Sequence, residues 1–268
     1  MGQVVLITGA SSGIGQACGE YLARRGYRVY GTSRHASPAG SLEPSGLVLI
    51  QMDVTEDESV TRGVGLIMER EGRLDVLVNN AGISVVGPVE DATIDEVKLQ
   101  FETNFFGVWR VCKAALPFMR GQRSGHIINI SSMAGLAGIP YQGLYSASKY
   151  AVEGMTEALR IEVRHWGIQV ILVEPGDSPT SLPKRRIRIF RTPAYDPYYT
   201  NALTVYEHDE RNGYPPEKIA PLIERIIRNP HPRLRYPVGT ALQRIELFLK
   251  GLAPDSLYER VFARIYKV

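Results

Sequence analysis

In the run Tyr145-Ser146-Ala147-Ser148-Lys149, a phenol and an ammonium stand four residues apart. Within a helical pattern that spacing puts them one turn apart on one face. An ammonium beside a phenol favours the phenolate, so Lys149 is expected to lower the Tyr145 pKa from its reference of about 10. A shift of about 3 units towards neutrality requires roughly 4 kcal/mol of differential interaction. A phenol tuned in this way exchanges a proton with a substrate oxygen. Taken alone the pair is weak evidence, since Tyr-x-x-x-Lys is common on helix surfaces.

A second signal lies at the start of the chain. The apolar run Val4–Ile7 leads into Thr8-Gly9-Ala10-Ser11-Ser12-Gly13-Ile14-Gly15, which opens directly into a helical pattern. Glycines at 9, 13 and 15 let the backbone turn tightly and approach a pyrophosphate, and the helix N-terminus offers free N–H groups and a positive dipole end. The spacing is not G-x-G-x-x-G, and no Gly-Lys-Ser/Thr follows to make a P-loop. The second apolar run ends in Thr32-Ser33-Arg34. A dinucleotide fold that selects NAD has an acidic residue near this point for the ribose 2′-hydroxyl; Ser33 and Arg34 instead offer a hydroxyl and a fork-shaped cation, which suit the 2′-phosphate of NADP(H). An oxidised nicotinamide would add its positive charge to that of Lys149 beside Tyr145.

Short apolar β-rich runs alternate with amphipathic helical stretches from end to end. Strands are predicted at 4–7, 28–32, 47–52, 74–78, 126–130 and 169–173, and helices from 13 to 25, over 60–70, 93–119 and 144–166. The strands are continuous Val/Ile/Leu runs, not alternating ones, so both faces are covered as in a parallel sheet. Strand–helix alternation predicts an α/β fold, a doubly wound Rossmann-type parallel sheet with helices on both faces, as a single domain over 1–268. Residues 177–216 are rich in Pro, Tyr and Arg, show little periodicity and read as an irregular insert, either a functional loop or a poorly ordered one. Beyond it the pattern predicts a helix over 216–228, a strand over 234–238, and C-terminal helices within about 240–266, at 240–249 and 256–265.

These motifs together resemble the short-chain dehydrogenase/reductase family in its single-domain form. Thr8–Gly15 resembles that family's T-G-x-x-x-G-x-G turn, Asn79-Asn80-Ala81-Gly82 its N-N-A-G segment, and Pro175-Gly176 its P-G. Asn104 falls mid-helix where the family keeps an Asn, and Ser132 lies 13 residues before Tyr145 (145 − 132). The likeness covers roughly residues 3–180. It implies that Tyr145 is the acid–base group, Ser132 holds the substrate oxygen, Lys149 tunes Tyr145 and binds the nicotinamide ribose, and Asn104 links Lys149 to a proton relay through backbone and water. Ser131 competes with Ser132 on register. The cofactor site implied comprises Gly9, Ser11, Ser12, Gly13, Ile14, Gly15, Ser33, Arg34, Asn80, Ala81, Gly82, Tyr145, Lys149, Pro175 and Gly176. Asp53 and Val54 would contact adenine. Ser12 stands where NADP-binding members often have a basic residue, which leaves the 2′-phosphate to Arg34. Thr180 is the candidate for the nicotinamide carboxamide, although Pro179 alters its backbone. The family places its dimer faces on the helices over 93–119 and 144–166, so a homodimer or homotetramer is expected.

Composition narrows the rest. The chain is 44% hydrophobic and 22% charged, with a net charge of +3, too small to argue for nucleic acid. Cys18 and Cys112 sit in helical patterns and read as buried free thiols, and no Cys/His cluster has the spacing of a metal site. No leader peptide and no membrane-spanning run is read, so a cytoplasmic protein with no membrane contact is expected. The basic run Lys184-Arg185-Arg186-Ile187-Arg188-Ile189-Phe190-Arg191 falls where the family places a substrate lid. It reads as cover for an elongated apolar substrate, as contact with an acidic carrier or membrane surface, or as a solvated loop. The arrangement looks most like the hydroxysteroid and retinol dehydrogenase branch, which points to a bulky apolar alcohol or ketone. A 3-oxoacyl or 3-ketosphinganine reductase is the alternative, and a non-catalytic NADP-binding regulator is the alternative of another class.

Overall fold

The computed structural model describes residues 2–37, 40–180, 186–240, 243–245, 250 and 253–268. Among the described residues ten strands are formed: β1 (Val4–Ile7), β2 (Arg28–Ser33), β3 (Ser41–Leu42), β4 (Val48–Gln51), β5 (Val76–Asn79), β6 (Val85–Val86), β7 (Gly125–Ile130), β8 (Ile168–Pro175), β9 (Ile187–Arg188) and β10 (Arg235–Val238). Eight of them make one sheet in the order β10-β8-β7-β5-β1-β2-β4-β3, parallel throughout except for the β3–β4 edge pair. The central strands are buried on both faces because their Val, Ile and Leu runs leave no polar side to expose; every residue of β1 and β5 is buried.

Helices cover both faces, as the alternation predicted. On one side Val60, Val64 and Ile67 of α2 (Asp57–Glu71) pack with Val111, Cys112 and Ala115 of α4 (Gly107–Gln122) and Val152 of α5 (Gly143–Val163), α3 (Ile94–Phe101) running directly into α4's helical line. On the other, Cys18 and Leu22 of α1 (Gly13–Arg24) meet Ile223, Ile226 and Ile227 of the later helix Ala220–Arg228. Both cysteines are buried and free. The chain leaves β1 for β2 and β4, then returns to β5 on the other side of β1. That reversal opens a crevice beyond the carboxyl ends of β1 and β5.

Three expectations need correction. The helix predicted over 93–119 is broken by a π-turn at Glu102–Phe106, between α3 and α4. The segment 177–216 is not irregular throughout: it contains β9, which pairs with β6, and α6 (Tyr198–Asn212). Only Tyr199, Ala202 and Tyr206 of α6 are buried, so its apolar stripe is too thin to show as a period. The helix predicted over 216–228 starts as a 3-10 turn and becomes α7 at Ala220–Arg228. Of the C-terminal pair, most of the helix predicted at 240–249 lies outside the described residues, and the other is α8 (Asp255–Tyr266).

Candidate active site

The crevice is a cleft of about 880 Å³ that runs from the turn after β1 to α6 and α8. Its floor is built by β1, β5, β7 and β8, whose carboxyl ends deliver Thr8, Asn79, Ser131 and Pro175 to adjacent positions.

Tyr145 and Lys149 occupy successive turns of α5. The Lys149 side chain is buried, its Nζ donates to the Ile130 carbonyl at 2.9 Å, and it lies 5.7 Å from the centre of the Tyr145 ring. The Ser132 hydroxyl accepts from the Ala134 N–H at 3.1 Å, donates to the Pro175 carbonyl at 3.3 Å, and stands near enough to the Tyr145 phenol to lower its pKa. Ser131, its rival in register, faces Gly135 and Glu153 instead. Phenol, ammonium and the Ser132 hydroxyl thus converge.

Their protonation differs from the expectation. Burial pushes the Tyr145 phenol up to about 12, opposed by the neighbouring Ser132 hydroxyl. Burial also brings the Lys149 ammonium down to about 8, opposed by the charge of Glu153. Desolvation disfavours the charged form of both groups, and it outweighs the attraction that sequence spacing suggested. Tyr145 is therefore a protonated acid at neutral pH.

Asn104 sits in the π-turn and is fully buried. Its Nδ2 donates to the Ile83 carbonyl at 3.0 Å and to Ser148 Oγ at 3.2 Å, and its Oδ1 accepts from the Ile83 N–H at 2.9 Å. Ser148 in turn donates to the Tyr145 carbonyl at 2.7 Å. The side chain thus braces the turn of α5 that carries Tyr145. A π-turn leaves a helix carbonyl without its usual partner, a feature that recurs at functional sites.

The first turn fits a dinucleotide. Gly9 and Gly13 have φ of 66° and 59°, a region that side chains disfavour. A Cβ on Gly15 would stand 2.4 Å from Asn80 Nδ2 and 2.6 Å from the Gly9 carbonyl oxygen. Ser12 leaves the α1 N-terminus without a side-chain cap, and the first turn holds no acidic residue, so its N–H groups remain for an anion. Asn80 fastens the turn to β5 by donating to the Thr8 and Gly9 carbonyls at 2.9 and 3.1 Å. Ser11, Ile14, Ser33, the exposed Arg34, Asp53, Val54, Ala81, Gly82, Gly176 and Thr180 also line the cleft. Among the described residues no carboxylate pairs with the Arg34 guanidinium. One Asp53 oxygen is held by Thr55, and Thr180 packs where a Cβ on Gly13 would come within 3.3 Å of it.

Residues 3–188 match the family described as short chain dehydrogenase. The chain belongs to that family. Among curated short-chain dehydrogenases, it is 43% identical to the 3-ketodihydrosphingosine reductase of Bacteroides thetaiotaomicron over 99% of this chain and 98% of that protein. It is 36% identical to retinol dehydrogenase 8 of Bos taurus, covering 96% of this chain and 88% of that protein. Among solved structures, a short-chain dehydrogenase from Streptomyces avermitilis superposes with a TM-score of 0.84 at 32% identity, covering 99% and 96% of the two chains. A structure of ElxO with NADP bound gives 0.73 at 30% identity, covering 88% and 96%.

Sequence reasoning missed several groups of this short-chain dehydrogenase. Behind Lys149, Arg235 of β10 lies between Glu153 of α5 (3.0 Å) and Glu174 of β8 (3.1 Å), both buried. Burial and the neighbouring Glu153 charge push Glu174 up to about 8. Glu153 follows Lys149 by four residues, a spacing that could have flagged it. Gln100 clamps the strand leading into the cleft, accepting from the Val85 N–H and donating to the Ile83 carbonyl. The basic run is also not a free cationic surface. Its described arginines bind carboxylates of the same chain, Arg186 to Glu210, Arg188 to Glu207 and Arg191 to Glu96. Lys184 and Arg185 lie outside the described residues.

Proposed function

We propose that the chain reduces a lipid-like ketone with NADP(H), with 3-ketodihydrosphingosine as the leading substrate. The observation that carries the reaction class is the convergence of Tyr145, Ser132 and Lys149 beside an anion-binding turn. The 43% identity with 3-ketodihydrosphingosine reductase along the whole chain supports the substrate and favours it over a steroid.

NADP(H) is the cofactor; Arg34 and Ser33, with no carboxylate at the end of β2, support it, and ElxO binds NADP at 30% identity. The turn at Gly9, Ser11, Ser12, Gly13, Ile14 and Gly15 would hold the pyrophosphate, Arg34 the 2′-phosphate, Asp53 and Val54 the adenine, and Lys149 the nicotinamide ribose. Asn80, Ala81, Gly82, Pro175, Gly176 and Thr180 complete the wall. When bound, the nicotinamide supplies the hydride. Ser132 holds the carbonyl oxygen as negative charge develops, and Tyr145 Oη delivers the proton to that oxygen. Lys149 orients the phenol and keeps positive charge near it, and Asn104 fixes the turn of α5 that carries it.

NADPH oxidation measured against 3-ketodihydrosphingosine, a steroid ketone, a retinal, a 3-oxoacyl thioester and a small ketone tests this reading, with NADH run in parallel. The long-chain keto base should have the highest kcat/KM, and NADPH should be preferred to NADH. Higher efficiency with the retinal would favour the second reading, supported by the likeness to retinol dehydrogenase 8.

A further inference from the structure

The substrate end of the cleft contains charges that neither the reaction nor the cofactor uses. Arg186, just ahead of β9, has a side chain only 2% exposed. Its Nη2 donates to Glu210 Oε1 of α6, but its Nε and Nη1 are buried and, among the described residues, have no hydrogen-bond partner; nor does Glu210 Oε2. Asp177, two residues beyond the end of β8, and Asp209 of α6 line the same wall, and Asp177 Oδ2 accepts from Gln243 at 2.6 Å. Asp177, Glu210 and Arg186 all act on the Tyr145 phenol electrostatically, so they stand close to the reacting oxygen.

Three carboxylates and one guanidinium line this wall, and the guanidinium already has Glu210 as its partner. Burial, with the Asp209 and Glu210 charges beside it, pushes Asp177 up to about 7, as an excess of negative charge does. An anionic substrate head would be repelled here. A plain ketone would leave two buried N–H donors and a buried carboxylate oxygen unpaired, which is costly. A group with a cation and a hydroxyl on neighbouring carbons pairs with the carboxylate oxygen and with one of those donors. Farther along the cleft Ala137, Ile139, Val205, Phe262 and Ile265 offer apolar wall for a chain.

We propose that Arg186, Glu210, Asp177 and Asp209 form a head-group subsite for an amino alcohol attached to the ketone. The ammonium, on the carbon next to the carbonyl, is held by Glu210 Oε2 and the Asp177 carboxylate, with Asp209 adding field. The hydroxyl oxygen, one carbon farther, accepts from one of the two unpartnered Arg186 donors, Nε–H or Nη1–H. This rests on the lipid-ketone reading and adds to it the residues that select a long-chain base from other ketones of equal length.

The test compares kcat/KM for three ketones of one chain length: the amino alcohol ketone, its analogue without the amine, and the plain ketone. A site built around a polar group rejects the analogue lacking it strongly, so the wild type should favour the amino ketone by about 100-fold. Asp177→Asn should bring that ratio to within about threefold of unity. The ratio is internal to each protein, and the wild type alone already decides, so a variant that folds poorly does not blunt the test. Equal efficiency on all three ketones leaves the lipid-ketone reading standing and overturns the subsite. A ratio unchanged in Asp177→Asn also overturns it. Turnover of none of the three sinks both.

Discussion

At the scale of single residues, the chemistry depends on how burial sets two protons. Tyr145, pushed up to about 12, stays protonated across the working range, while Lys149, brought down to about 8, loses its charge within it. The ammonium is the form that polarises the phenol, so the ketone-reducing kcat/KM should be level below pH 8 and fall up to about tenfold per unit above it. A pH–rate profile checks this; a limb rising through pH 8 would show that the neutral amine is the active form. Spacing in the sequence singled out both residues, and the resemblance to the family singled out Asn104. Spacing could not give the direction of the phenol shift, because separation along a helix says who the neighbours are and nothing about how much water they have lost. The same gap hid Arg186 and Asp177, whose partners Glu210 and Gln243 are 24 and 66 residues away.

At the scale of elements, strands whose apolar runs are continuous were legible, and so were helices with a broad apolar face, such as α2 with Val60, Val64 and Ile67. The π-turn was not, since one extra residue in a helix leaves the surrounding pattern nearly unchanged. Neither were β6 and β9, two residues each, which exist through their pairing with one another. The charged contact joining α5, β8 and β10 was likewise invisible until three distant segments met. Arg235 there contacts Glu153 and Glu174, and Arg235→Met would take the cation away from the buried Glu153 carboxylate. Unfolding free energy should drop by about 3–5 kcal/mol, measured by denaturant titration. In the wild type Glu174 is raised above its unfolded value, so the folded chain holds a proton that the unfolded chain has released. That contribution is fully present below the ordinary carboxylate range and is lost as the pH rises towards 8. Tm should therefore decline between pH 5 and pH 8; a Tm that climbs over this range would contradict the buried-carboxylate account.

At the scale of the whole molecule, the doubly wound sheet explains why so few residues sufficed to reveal the site. The strand order reverses at β1 and β5, and the motifs cluster at the carboxyl ends of the strands on either side. Among the described residues no helix is long and apolar enough to cross a membrane. Leu99, Phe106, Trp109 and Phe118 on the α3–α4 line and Ile161 on α5 are exposed, apolar surface suited to a partner copy. Light scattering should give the mass of a dimer or tetramer at micromolar concentration, and Trp109→Glu should shift it towards the monomer; a wild-type monomer would remove this assignment.

The central claim is that the Tyr145 proton is the one delivered to the substrate oxygen. Tyr145→Phe removes that hydroxyl and leaves the turn at Gly9–Gly15 and the Arg34 side chain in place. Its kcat should fall by about 10²–10⁴ while NADPH still binds with a Kd within about threefold of the wild type, measured by calorimetry on the same preparation. Substantial turnover by that variant, with cofactor bound, would contradict the account.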